Sequence, residues 1–224
     1  MKRLAPFIPF LVVIILGLVC SVLIFEVFID QNRRQVQTQI RQASLEQHGN
    51  IADRIHSIQT VLRAVVGFYE GSSHVSREEF EAFAKKIGAP VQALGFVPRV
   101  TAAERRAFEA AASDEGMSHF RFTERSLTGE RLSAGARDTY FPIFYVEPLA
   151  GNEAAIGFDL ASNPVSLAAL IKARDKLSMV VSGRVNLLAD KEDRASILVV
   201  APIFGKNMPA QTQEDRRQNL EGFA

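Results

Sequence analysis

Residues 76–104 read SREEFEAFAKKIGAPVQALGFVPRVTAAE. Ser76 with Glu79 three places on is a capping box, in which hydroxyl and carboxylate answer each other's main-chain amides. Val75 and Phe80 occupy the positions of a hydrophobic staple. Phe80, Phe83 and Ile87 mark a buried stripe, and Gly88 and Pro90 stop the helix. Val91 to Val97 then reads as a strand. Thr101 with Glu104 repeats the capping pattern and opens a second helix that runs to Gly116.

Beyond this stretch the texture is β. His119 to Thr123 alternates, Tyr140 to Val146 is aromatic and β-branched, and Ala155 to Leu160 is a short apolar strand. Asn163-Pro164 starts a helix with proline at the tolerated first position. Met179 to Val185 and Ile197 to Phe204 are further strands, separated by an acidic turn from Asp190 to Asp193. Short strands mixed with short helices predict an α+β domain of the sensor type, not a doubly wound sheet.

Upstream, no proline falls between Asp30 and Tyr69. Ile51, Ile55, Ile58, Leu62, Val65 and Tyr69 recur in steps of three and four, a heptad seam. Val36, Ile40 and Ala43 keep the rhythm in another phase, with the change near His48-Gly49-Asn50. The pattern predicts a long stalk helix whose seam pairs with a second copy, packs on its own domain, or both.

Phe7 to Phe25 carries no charge and is preceded by Met1-Lys2-Arg3. At ~1.5 Å per residue it approaches the ~30 Å hydrocarbon core of a bilayer. Val27, Phe28 and Ile29 extend it past Glu26. A cleaved signal peptide is the alternative, but the run is long for one and Phe25-Glu26-Val27-Phe28 is too bulky for cleavage. The expectation is a retained membrane helix over 7–29. Lys2 and Arg3 on one flank against Arg33 and Arg34 on the other leave its orientation a near tie by charge.

The formal net charge is +1 with 26 basic and 25 acidic residues, so no nucleic-acid surface is indicated. The single cysteine, Cys20, lies inside the apolar run, which leaves the rest of the chain without disulfides or a thiolate metal site. His48, His56, His74 and His119 lack ligand spacing. There is no glycine-rich phosphate loop, no G-x-S-x-G elbow, no HExxH and no CxxC, so neither catalysis nor a cofactor or metal is expected of these residues.

Gln92-Ala93-Leu94-Gly95-Phe96-Val97-Pro98-Arg99-Val100, followed by Glu104-Arg105 and Phe108, resembles the opening signature of CHASE domains. These are extracytoplasmic sensory domains of histidine kinases, nucleotide cyclases and diguanylate cyclases, plant cytokinin receptors among them. Tyr140-Phe141-Pro142-Ile143 with Tyr145-Val146-Glu147-Pro148 looks like the central family strand, and Gly157-Phe158-Asp159-Leu160 with Ala168 to Asp175 like the strand and helix after it. Ala201 to Phe204, Thr212 to Arg216 and Leu220 to Phe223 match the late blocks, so the resemblance runs from about Leu62 to the last residue.

The resemblance implies an α+β fold in which an N-terminal transmembrane helix continues into a long stalk helix carrying two PAS-like lobes, the distal one holding the ligand. The implied organisation is a cytoplasmic N-terminus at 1–6, the membrane helix at 7–29, the stalk at 30–71 and the sensory domain at 72–224. Family members sit outside the cytoplasm and continue into another strand, a second membrane helix and an output domain, so the chain is expected to be the sensory part of a longer receptor.

Six residues are candidates for the ligand site. Phe96, Phe141, Phe144 and Tyr145 form an aromatic set, either a wall for a planar ligand or ordinary core. Period-two alternation puts Phe141 and Tyr145 on one face and Phe144 on the other. In cytokinin-binding members an aspartate after the Pro-Ile strand reads the adenine. Glu147 stands nearby and either replaces it or caps the turn at Pro148. A pocket threonine of those members corresponds to Ser182, which keeps the hydroxyl or is a plain strand serine. Asp159 reads as structural, bonding turn amides.

The function expected is extracytoplasmic sensing of a small molecule of unknown identity in a bacterial transmembrane receptor of the histidine kinase or diguanylate cyclase type. Its partners are that ligand, the membrane and a second copy of the chain. The alternative is a membrane-anchored partner-binding domain without a small-molecule ligand.

Overall fold

The computed structural model describes residues 53–114, 116–117, 119–126, 128–186 and 195–224, together with Gly17 and Ser21. The chain divides into a unit at Met1–Arg54 and a compact unit at Ile55–Ala224, and the second unit carries the sheet and the helices packed on it. The phase change near Gly49, the turn from Asp190 to Asp193 and nearly all of 7–29 lie outside the described residues.

Helix α1 covers 53–71. Its seam closes on its own domain: Leu62, Val65 and Tyr69 are buried, with Val61 beside them, and Ile58 packs at the margin. Ile55, one step earlier, is half exposed. Helix α2 (Arg77–Ile87) begins with the capping box, Glu79 N donating to Ser76 Oγ at 3.2 Å and Ser76 N to Glu79 Oε2 at 2.8 Å. Both staple residues, Val75 and Phe80, are buried. Gly88 closes the helix in the left-handed conformation at φ 60°, which a residue with a Cβ adopts only at a cost.

Strand β1 (Leu94–Pro98) leads through β2 (Val100–Thr101) to α3 (Arg105–Asp114). The hairpin β3 (Thr123–Arg125) and β4 (Arg131–Ser133), then β5 (Thr139–Tyr140) and β6 (Tyr145–Glu147), precede α4 (Pro164–Lys176). Asn163 caps α4 by accepting from Val165 N and Ser166 N. The ribbon β7 (Val180–Asn186) and β8 (Ala195–Val200) runs on into β9 (Pro202–Phe204), α5 (Gln213–Gln218) and β10 (Leu220–Phe223).

The main sheet has the order β6-β1-β10-β9, antiparallel at every junction. Side chains alternate across β1 as a pleated strand requires. Leu94 enters the core that holds Val65, Phe80 and Tyr145, whereas Val97 enters the core that holds Leu170, Ala173 and Phe223. One sheet thus separates two cores, α1 on one face and α4 on the other.

Several expectations change here. The mixed α and β content stands, but no helix among the described residues is long and apolar enough to cross a membrane. The membrane helix is therefore withdrawn from the fold assignment. Ala155 to Leu160 is not a strand: it carries parts of two 3-10 turns, Glu153–Ala155 and Leu160–Ser162. The cause is Gly157, at φ 77°, where a Cβ would stand 2.2 Å from Arg121 O. Tyr140 to Val146 is broken because Pro142, which has no amide to give, meets only an isolated bridge to Asp159.

Two ionic clusters pin the long excursion between α3 and β6. Arg105 on α3 pairs with Glu109 at 3.1 Å, donates to Ala134 O at 2.9 Å and lies over the Tyr140 ring at 4.9 Å. Asp159, fully buried, accepts from Phe141 N at 2.7 Å, from Ala161 N at 3.1 Å and from Arg137 Nη1 at 2.6 Å. Arg137 also pairs with Glu124. Burial pushes the Asp159 carboxyl above its ordinary value, against the pull of the two amides and the guanidinium.

The Arg137→Gln variant is expected to lose about 3 kcal/mol in urea denaturation at pH 7, the low end for a broken buried pair, because Arg137 keeps 24 % of its side chain exposed. Removing the guanidinium raises the Asp159 carboxyl further, so the folded state takes up a proton more readily than the unfolded one. The deficit against wild type therefore shrinks as pH falls from 7 toward 5. A deficit that grows on acidification contradicts this assignment.

Candidate functional site

Three of the six candidate residues converge. Phe96 from β1, with Phe144 just before β6 and Tyr145 at its start, borders a cavity of about 260 Å³. Tyr69 from α1 and Phe108 and Ala112 from α3 complete the walls, with Ser72, Ser73, His74 and Glu221 toward the rim. The rings hold one another. Tyr69 stacks on Phe96 at 4.1 Å between centroids, Phe144 meets Tyr145 at 4.4 Å, and Phe108 stands edge-on to Phe144 at 4.9 Å.

Tyr145 Oη donates to Val75 O at 3.4 Å. The hydroxyl of Tyr69, a residue only 8 % exposed, has no hydrogen-bond partner. Burial, with Tyr145 adding to it, pushes that hydroxyl above the ordinary tyrosine range, so it stays neutral and able to donate. Leaving such a group unanswered costs about 1–3 kcal/mol. The combination of apolar rings, a void and one unanswered hydroxyl can hold a small molecule bearing a ring and a hydrogen-bond acceptor. The volume is just below the usual range for drug-sized ligands, ~300–1,000 Å³.

The other candidates lie elsewhere. Phe141 is in the opposite core, edge-on to Phe223 at 5.5 Å. Phe144 and Tyr145 share one core, so the expected alternation fails: residues 141–144 are not continuous strand. Glu147 ends β6 opposite Leu94, half-buried before a cis bond to Pro148. The Ser182 hydroxyl accepts from Leu198 N at 2.9 Å and donates to Gly183 O at 2.7 Å, bracing the register shift in the β7–β8 ribbon. Asp159 does bond turn amides, through Ala161 N.

A second, larger cleft of about 860 Å³ opens between the start of β1 and β8, and none of the six candidates lines it. Among the described residues no group of three or more His, Cys, Asp or Glu could hold a metal ion. Tyr69 was legible only as a seam position. The signal that sets it apart is a hydroxyl where the seam otherwise places isoleucine, leucine and valine.

Tyr69→Phe is expected to stabilise the ligand-free protein by about 1 kcal/mol in denaturant titration, since it removes an unanswered buried hydroxyl and keeps the ring stack. A loss of stability of that size would mean the hydroxyl is already satisfied.

Over 159 residues, 66 % of the chain, the sequence is 28 % identical to hybrid signal transduction histidine kinase A of Dictyostelium discoideum, and it spans 7 % of that protein's length. A family model described as the CHASE domain matches residues 73–224, which take in the two cores of the sheet apart from their α1 residues Val61, Leu62, Val65 and Tyr69, the excursion pinned by Arg105 and Arg137, and every residue lining the 260 Å³ cavity except Tyr69 and Ser72. The chain belongs to the CHASE domain family, whose members are sensory rather than catalytic domains.

Proposed function

We propose that this domain senses a small molecule outside the cytoplasm on behalf of a longer signalling receptor, and that the ligand occupies the cavity beneath Tyr69. The observation that carries this reading is the Tyr69 hydroxyl, buried and unpartnered beside a void walled by Phe96, Phe144 and Tyr145. Tyr69 belongs to α1, so a ligand that answers its hydroxyl favours one packing of α1 on the sheet over others. A ligand shifts such an equilibrium only by its difference in affinity for the two packings. The extracytoplasmic placement is supported by the family, and a histidine kinase output by the Dictyostelium relative; a diguanylate cyclase output serves the same scheme. A second copy of the chain would meet α1 on the seam before Ile58, where Ile55 is half exposed.

A second reading, a partner-binding domain without a small-molecule ligand, is favoured by Val181 and Ile197. Both are exposed on the β7–β8 ribbon, at 59 % and 61 %.

A thermal-shift screen of purines, amino acids, phenols and small carboxylates separates the two. In the sensing reading at least one compound raises Tm by several degrees through mass action, and Ala112→Leu, which fills the cavity from α3, removes the shift while circular dichroism shows the fold intact. A Tm that no compound moves, or an equal shift in Ala112→Leu, favours the partner-binding reading instead.

A further inference from the structure

Strand β10 carries one residue more than the strand beside it. Leu220 stands opposite Phe204 and Gly222 opposite Ile203, so Glu221 is the extra residue of a bulge. Leu220 and Phe223 both enter the core that holds Leu170 of α4. Three residues apart, they reach the same side of a pleated strand only because the bulge intervenes. Gly222 lets the bulged strand close on β1, for a Cβ there would stand 2.4 Å from Val97 O. Arg99 N donates to the Glu221 carbonyl at 2.7 Å. The exposed Glu221 side chain is thereby left at the rim of the 260 Å³ cavity, whose other walls come from α1 and α3.

The bulge holds this carboxylate in place without giving it a partner. No described residue forms a hydrogen bond or ion pair with it. Its Oε1 lies against Gly205, where a Cβ would stand 3.3 Å away. Lys206, the next residue, turns its ammonium to Gly71 O at 3.2 Å instead. Among the described residues lining the cavity, Glu221 is the one acid, His74 is the other ionisable group of the rim, and there is no lysine or arginine. Inside, the walls are the rings of Tyr69, Phe96, Phe108, Phe144 and Tyr145. Aromatic faces attract a cation and offer nothing to an anion.

We infer that the cavity takes a small organic amine, with its ammonium at the rim against the Glu221 carboxylate, its apolar body among the rings and an acceptor atom at the Tyr69 hydroxyl. This rests on the reading of the cavity as the sensing site and names the class of ligand that site selects. The hydroxyls of Ser72 and Ser73, also at the rim, can accept further N–H groups of the ammonium. The volume falls short of the drug-sized range, so one ring with a short chain is the scale of the occupant. Tyr69 belongs to α1 and Glu221 to β10, so a molecule held at both ends ties the helix to the centre of the sheet.

The test uses three probes that share a 4-hydroxyphenyl ring and differ at the end of the chain: tyramine, tyrosol and 4-hydroxyphenylacetate, titrated by calorimetry at low ionic strength. Tyramine is expected to bind about fivefold more tightly than tyrosol, as an exposed carboxylate–ammonium pair supplies, with the carboxylate weakest. Glu221→Gln, with circular dichroism showing the fold intact, is expected to bring tyramine down to the level of tyrosol and leave tyrosol unchanged. Added salt is expected to weaken tyramine alone. Equal binding of tyramine and tyrosol, or tyramine binding unchanged in Glu221→Gln, overturns the assignment of the amine; if Ala112→Leu still abolishes that binding, the cavity reading survives. Binding of none of the three, or binding unchanged in Ala112→Leu, overturns the amine assignment and the cavity reading together.

Discussion

The stack of Tyr69 on Phe96 joins α1 to the sheet, and much else in the domain depends on it. At 4.1 Å between centroids it sets the tyrosine ring flat on the strand that carries both ladders of the sheet centre. With the ring held there, the hydroxyl is buried and finds no hydrogen-bond partner. The packing that fixes the helix therefore also creates the one unanswered buried hydroxyl among the described side chains. Natural domains rarely leave such a group without a use. In the proposed sensing role, a ligand that supplies the acceptor acts on the very contact that seats the helix.

The excursion between α3 and β6 serves the same wall from the other side. Arg105 and Arg137 draw its main chain in through carbonyls, carboxylates and the Tyr140 ring. That closure buries Phe120 and Phe122 against Phe108. Phe108 in turn meets Phe144 edge-on. Charged groups outside the cavity thus set the position of the rings that line it, and the cavity itself can remain apolar.

Local signals were the legible ones. The capping box at Ser76, the Asn163-Pro164 start and the Gly88 stop each depend on residues within one helical turn, and all three are present in the fold. At Thr101 only half of the box forms: Glu104 accepts from Thr101 N, and α3 starts one residue later. Features that were not legible depend on residues far apart. Gly157 turns the chain because Arg121 O lies against it, and Asp159 is buried because Arg137, 22 residues earlier, reaches it. Phe96, Phe144 and Tyr145 were readable as an aromatic set, but the break at Pro142 decided which of them face the same way. Tyr69 is one more seam residue until its neighbours are in place.

Backbone amide NMR during titration with small phenols and purines addresses the central claim directly, since it locates binding residue by residue. A ligand at the Tyr69 cavity shifts the amides of Tyr69, Ala112 and Phe144 together and leaves Phe141 and Ser182 unmoved. Shifts centred on Leu94 and Val199, or spread without a focus while Tyr69 stays still, would contradict the assignment of this cavity as the sensing site.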